Sequence, residues 1–200
     1  MNERLKLIVK NHSHLGVVLA IGVILVGVFF LKPWSLEAPA TVVEEASGYA
    51  MEAAVPSVLS IPKIKLETTF EEPLGLNPDG TAAVPESYTK VGWYKNGPTP
   101  GELGPAVILG HVDSFEGPAV FFSLGQLEVG DDIFVTREDG STAHFIVSEL
   151  ERNQQSEFPT VKVYGDLNYA GLRLITCTGT FVKGEQRYTH NLIVYAKLVE

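Results

Sequence analysis

From about Ser57 onward the chain is a succession of short apolar or alternating runs, broken again and again by Gly, Pro and Asp-Gly. That punctuation constrains the fold more than any other feature, because it leaves no room for long amphipathic helices and favours strands joined by tight turns. Val58–Ile61 and Ile64–Leu66 are two such runs. Ala106–Leu109 (AVIL) is a continuous apolar run held between Gly104-Pro105 and Gly110. Residues 132–136 and 143–147 flank Glu138-Asp139-Gly140-Ser141, in which the Asp-Gly pair supplies a hairpin turn. Leu172–Thr176 (LRLIT) and Leu192–Leu198 (LIVYAKL) complete the set. Short helical turns are expected near 119–126 and 153–156. Many short strands with little helix predict a mainly β domain closed into a barrel.

The N-terminal quarter is different. Leu15–Leu31 (LGVVLAIGVILVGVFFL) runs seventeen residues without a charge. At about 1.5 Å rise per residue, that is the short end of what crosses a bilayer. Arg4, Lys6 and Lys10 precede it, and Glu37, Glu44 and Glu45 follow. The positive-inside rule then predicts a cytoplasmic segment at 1–14, a single transmembrane anchor at 15–32, a linker at 33–56 and an extracellular domain at 57–200. Ala38-Pro39-Ala40 offers signal-peptide cleavage as the competing reading.

The formal net charge of −9, from 24 acidic and 15 basic residues, argues against a nucleic-acid partner, which requires a cationic surface. The single cysteine, Cys177, excludes an internal disulfide. With no Cys-x-x-Cys or His-x-x-x-His pair, no structural zinc site is expected, and with no nucleotide or flavin motif no cofactor is expected either; the scattered acidic residues leave calcium open. An unpaired thiol is either a small buried hydrophobe or a nucleophile. Cys177 follows LRLIT, and His111 stands in the same way after AVILG. If those two strands are parallel neighbours, thiol and imidazole emerge at one rim. Arg187, ahead of LIVYAKL, brings a permanently charged fork of donors suited to an oxyanion. Arg173 is a rival, but alternation turns it away from the face of Leu172 and Leu174. His12 and His14 fall in the predicted cytoplasmic segment, His144 lies within a strand pattern, and His190 borders the region of Arg187. Val120, Phe122, Tyr164 and Thr176 are candidate walls for a bound peptide, although core is the favoured reading for Val120, Phe122 and Tyr164.

The strand Leu172–Thr176 ending in Thr-Cys, the segment Gly110-His111-Val112-Asp113-Ser114 and an arginine before the last strand together resemble the sortase family. Further segments, Leu76–Gly80, Val91–Tyr94, Pro100–Glu102, Gly117–Phe122 and Asn191–Ala196, resemble its actinobacterial class F. The likeness covers about Ile61 to Leu198. It implies a closed eight-stranded β-barrel. It also implies that Cys177 attacks a sorting-signal peptide of the Leu-Pro-x-Thr-Gly kind to form a thioester. His111 would then serve as acid and base, with Arg187 at the oxyanion. The partners so implied are surface proteins bearing that signal and an amine of a peptidoglycan precursor. Thr178 stands where the class often has Gly, and Val182-Lys183 where an acidic residue is common, so substrate preference stays open.

Two other readings stand beside this one. An L,D-transpeptidase is disfavoured, because Ile175-Thr176 rather than a His-Gly pair precedes the cysteine, and a papain-like hydrolase carries cysteine and histidine in the opposite order. A non-catalytic adhesin or surface-assembly barrel would bury Cys177 and leave it unreactive.

Overall fold

A computed structural model describes residues 49–199. The strands are β1 (Pro56–Ile61), β2 (Leu66–Thr69), β3 (Gly92–Trp93), β4 (Gly104–Leu109), β5 (Asp113–Ser114), β6 (Gly117–Pro118), β7 (Asp132–Arg137), β8 (Thr142–Gln154), β9 (Ala170–Val182) and β10 (Arg187–Leu198). One α-helix, α1 (Thr160–Tyr164), precedes β9. Eight strands form one sheet in the order β2-β1-β7-β8-β10-β9-β4-β3, while β5 and β6 make a separate two-stranded ribbon. Every pairing in the large sheet is antiparallel except that of β4 with β9.

The closed barrel expected from the sequence is not what forms: the sheet curls into an open half-barrel with β2 and β3 as its edges. No ladder joins those edges, and only isolated bridges pass near them, Phe70 with Val91 and Leu74 with Tyr94. The reason is local. β3 is two residues long, and Pro73, Gly75, Pro78, Gly80 and Pro85 punctuate the chain between the two edges, removing the donors and regular backbone a closing ladder needs.

The membrane-crossing helix expected at 15–32 lies outside the described residues. Among those described, no helix is long and apolar enough to cross a membrane, and the single-pass, membrane-bound placement does not stand on this structure.

The Asp139-Gly140 hairpin forms as its sequence predicts. Thr136 pairs with Thr142 across the turn, and Gly140 takes the left-handed conformation at φ 83° that the turn requires. The central strands are apolar on both faces because both faces are covered. Leu172 and Leu174 of β9, with Ala106 and Ile108 of β4 and Leu192 and Val194 of β10, point into the main core beside Phe121, Leu124 and Phe145. The alternate residues Val107, Leu109, Ile175, Ile193 and Tyr195 form a second cluster with Leu74 and Val163, flanked by Ala82, Ala83, Phe158 and Tyr164. That second cover, made by α1 and the chain between β2 and β3, runs out beyond Leu109 and Ile175.

Candidate active site

The site grows from the parallel pairing of β4 and β9. Leu109 stands opposite Ile175, and Gly110 extends the ladder by donating its N–H to the Ile175 carbonyl at 3.2 Å. His111 and Cys177 each lie two residues beyond that registered pair. Side chains two apart in an extended chain share a face, so both continue the face of Leu109 and Ile175, past the edge of the second cluster. The parallel arrangement that the sequence reading required is present.

β9 does not stop at Thr176, where the run LRLIT ends. It continues to Val182 and forms a hairpin with β10, with Cys177 opposite Asn191. Cys177 is half-buried because its other neighbour, β4, has ended at Leu109. Gly179 lies at φ 84°, where the register with β10 shifts between Tyr188 and His190. A Cβ at Gly179 would meet Thr189 Oγ1 at 2.6 Å and His190 Nδ1 at 2.7 Å, so the turn of the backbone beside Cys177 depends on glycine.

His111 and Cys177 line one cavity of about 480 Å³, with Thr176, Asp113, Tyr188 and Arg187 in its wall. The imidazole is oriented from outside. Its Nε2 lies 2.7 Å from the Pro85 carbonyl oxygen, and a carbonyl can only accept, so Nε2 carries the proton and donates it. Nδ1 of the neutral ring is therefore the free base. Tyr88 packs its ring against the imidazole with centroids 4.7 Å apart. Gly110 has no side chain for a packing reason: a Cβ there would come within 2.6 Å of the Phe121 ring and 2.9 Å of Val120.

The thiol's surroundings hold it in the protonated form. Burial is the larger cause raising the Cys177 pKa, and the charge of Asp113 adds to it. Gln155 Nε2 donates toward the sulfur at 3.9 Å. Asp113 in turn accepts a hydrogen bond from the Tyr188 hydroxyl. That bond, first among its causes, pushes Tyr188 up to about 12, so the phenol is a donor at any working pH. This contact ties the β5–β6 ribbon, which follows His111, to the β9–β10 hairpin that carries Cys177.

Arg187 lines the same cavity. Its guanidinium is half-exposed and ion-paired with Glu185. Arg173 is buried on the second-cluster face, stacked 5.2 Å from the Tyr195 ring centroid and donating to the Leu172 and Lys162 carbonyls at 3.4 and 3.5 Å. It is not part of the cavity wall. Of the four residues read as peptide walls, Thr176 lines the cavity. Val120 packs against the main core, Phe122 points to solvent outside the cavity, and Tyr164 packs with Tyr94 and Phe158 beside the second cluster. His144 pairs with Asp132 at the surface, and His190 Nδ1 shares a 2.7 Å hydrogen bond with Thr189 Oγ1.

Sequence reasoning missed the apolar rim. Phe115 is 99% exposed at the tip of the β5–β6 turn, and Phe181 is 42% exposed on β9; both border the cavity, as does Val84. The signal available was a bulky aromatic in a turn flanked by Ser114 and Glu116, where burial is not to be expected. Asp113 and Tyr188 are 75 residues apart, and no sequence spacing announces their contact.

Comparison with known proteins agrees with the architecture. A profile of the sortase domain matches residues 59–199. A search of curated proteins found no match. The lid mutant of sortase A from Corynebacterium diphtheriae superposes with a TM-score of 0.56 at 23% identity, over 75% of this chain and 73% of that one. Sortase C1 from Streptococcus suis gives 0.55 at 18% identity over 74% of each. Sortase C-1 from Actinomyces oris gives 0.55 at 23% identity over 72% and 71%. At such identities these likenesses speak for the fold and distinguish no one class.

Proposed function

This chain belongs to the sortase family, and from that premise we propose that it is a cysteine transpeptidase with Cys177 as nucleophile, His111 as acid and base, and Arg187 at the oxyanion. The observation that supports the reading is the parallel β4–β9 register, together with the presence of both His111 and Cys177 in the wall of one open cavity.

The substrate is an extended sorting-signal peptide of the Leu-Pro-x-Thr-Gly kind. Phe115, Phe181 and Val84 offer apolar walls for its leucine and proline. With the thiol pushed up by burial and Asp113, the cysteine rests as the thiol, and the thiolate is the minority form that reacts. In the first step, the thiol proton passes to His111 Nδ1 as sulfur attacks the scissile carbonyl carbon. The C–N bond then breaks, the proton moves from Nδ1 to the departing amine, and a thioester is left on Cys177. Arg187 would exchange Glu185 for the developing oxyanion. In the second step, an amine of the cell-wall precursor takes the acyl group and releases Cys177. The class F assignment rests on the sequence segments that resemble it, and a peptidoglycan amine is its matching acceptor.

The test is incubation of the full chain with a fluorogenic Leu-Pro-x-Thr-Gly peptide and a peptidyl amine, read by mass spectrometry. Cleavage and ligation that vanish in Cys177→Ala and His111→Ala support the proposal. A parent protein inert toward a library of such peptides overturns it. A non-catalytic assembly module, the alternative, predicts that inertness together with a Cys177 unreactive toward alkylating reagents.

A further inference from the structure

We infer that Asp113 is the docking group for the incoming amine, holding it as a primary ammonium beside the acyl-enzyme. This rests on the transpeptidase reading above and names the acceptor chemistry of the same site.

Asp113 contributes the one carboxylate among the residues lining the cavity. Tyr188 donates to its Oδ2 and fixes the group in place. Its Oδ1 takes no hydrogen bond among the described residues, and no Lys, Arg or His forms an ion pair with it there. The cationic wall residue, Arg187, is already paired with Glu185. A fixed and unneutralised carboxylate therefore faces a cavity that holds a nucleophile. For the first chemical step such a charge is a handicap, since it disfavours the thiolate. Once the thioester has formed, that handicap is gone, because the sulfur no longer carries charge. The next reactant is then an aliphatic amine, which arrives protonated at neutral pH. A carboxylate lining the same cavity as Cys177 concentrates that cation where it must react, and a charge-assisted hydrogen bond orients it.

The proton balance closes on groups already named. The ammonium gives one proton to His111 Nδ1, two residues along the chain from Asp113, and becomes a free amine. Its nitrogen attacks the thioester carbonyl carbon, the amide C–N bond forms and the C–S bond breaks. The second surplus proton passes to the departing sulfur, restoring the thiol, and the imidazolium then loses its proton to solvent.

The experiment compares two nucleophiles on the full chain charged with a Leu-Pro-x-Thr-Gly peptide. One is Nα-acetyllysine amide, a primary ammonium at neutral pH, and the other is hydroxylamine, largely uncharged there. Asp113→Asn keeps an acceptor oxygen for Tyr188 and removes only the charge. It is expected to raise the KM for the lysine amide about tenfold, as loss of a charge-assisted hydrogen bond would, and to shift products toward hydrolysis. The KM for hydroxylamine changes less than twofold. Because both nucleophiles meet the same thioester, any change in the sulfur's leaving ability cancels in their ratio. Asp113→Glu, which retains the charge, restores part of the preference and serves where the asparagine variant folds poorly. Equal losses on both nucleophiles, or no loss on either, overturn the assignment while the acyl-enzyme still forms. Failure of the parent chain to form an acyl-enzyme overturns the transpeptidase reading and this inference with it.

Discussion

Gly110 is the joint between the core and the histidine, and Gly110→Ala puts that joint under load. The backbone there is not left-handed, so the effect is steric. A new Cβ would lie 2.6 and 2.9 Å from two carbons of the Phe121 ring and 2.9 Å from Val120 Cγ1. Phe121 is fully buried. Its segment is pinned by three backbone hydrogen bonds: Ala119 to Val112 at 3.1 Å, Phe121 to His111 at 2.9 Å, and Val120 to Tyr88 at 2.8 Å. The ring cannot retreat without breaking bonds that also position His111. Overpacking of this kind costs about 1–3 kcal/mol, and the stiffer unfolded chain returns about 0.4–1 kcal/mol. The net loss, at most about 2.6 kcal/mol, corresponds to a fall in Tm of up to about 10 °C for a domain of this size. Differential scanning calorimetry measures it, and peptide cleavage assayed well below Tm should fall further than the folded fraction does, because the imidazole shifts with its neighbour. An alanine variant with unchanged Tm and unchanged turnover would refute the claim that close packing behind Gly110 sets the histidine.

Further outcomes are expected. Iodoacetamide alkylation of Cys177 should show an inflection above that of a free cysteine, moving down in Asp113→Asn; an inflection below the ordinary thiol value contradicts the site's electrostatics. By linkage, the folded chain keeps this proton to higher pH than the unfolded one, so the associated stability is present below the ordinary thiol pKa and is lost as pH rises through the folded value. Arg187→Ala should lower kcat by about 10²–10³, the usual loss of an oxyanion donor, whereas Arg173→Met should retain turnover. The melting temperature of the latter should stay within about 3 °C, since that guanidinium makes only long hydrogen bonds and its Nε has no partner, so an apolar replacement is close to neutral. Tyr188→Phe should abolish a tyrosinate transition near pH 12 in ultraviolet titration and slow turnover by loosening the β5–β6 ribbon; a titration curve identical to the parent's would place the Tyr188–Asp113 contact in error.

What the sequence made legible follows from locality. The Asp139-Gly140 turn, the apolar runs at 106–109 and 172–176, and the alternation that turns Arg173 to the face opposite Leu172 and Leu174 are set by neighbours in the chain, and all are found. The order His111, Thr176-Cys177, Arg187 pointed to the family that the sortase profile then supplied. Long-range geometry was not legible. Whether the sheet closes depends on two edges separated by a Pro- and Gly-rich stretch, and the short β3 leaves it open. Val120 and Tyr164 carry the same apolar character whether they wall a groove or fill a core, and here they pack into the protein. Phe115 could be recognised as a rim residue only once the β5–β6 ribbon had placed it. β9 continues past Cys177 because β10 pairs with it, a partner that Thr-Gly-Thr does not reveal.

The central claim is that sulfur at position 177 takes up an acyl group with help from the imidazole at 111. Intact-mass spectrometry of the protein, quenched in acid during turnover of a Leu-Pro-x-Thr-Gly peptide, tests it directly. The account predicts a mass increment equal to the peptide's N-terminal acyl fragment, localised to Cys177, labile to hydroxylamine and strongly diminished in His111→Ala. Cleavage of the peptide that persists in Cys177→Ala, or an adduct on any other residue, would contradict it.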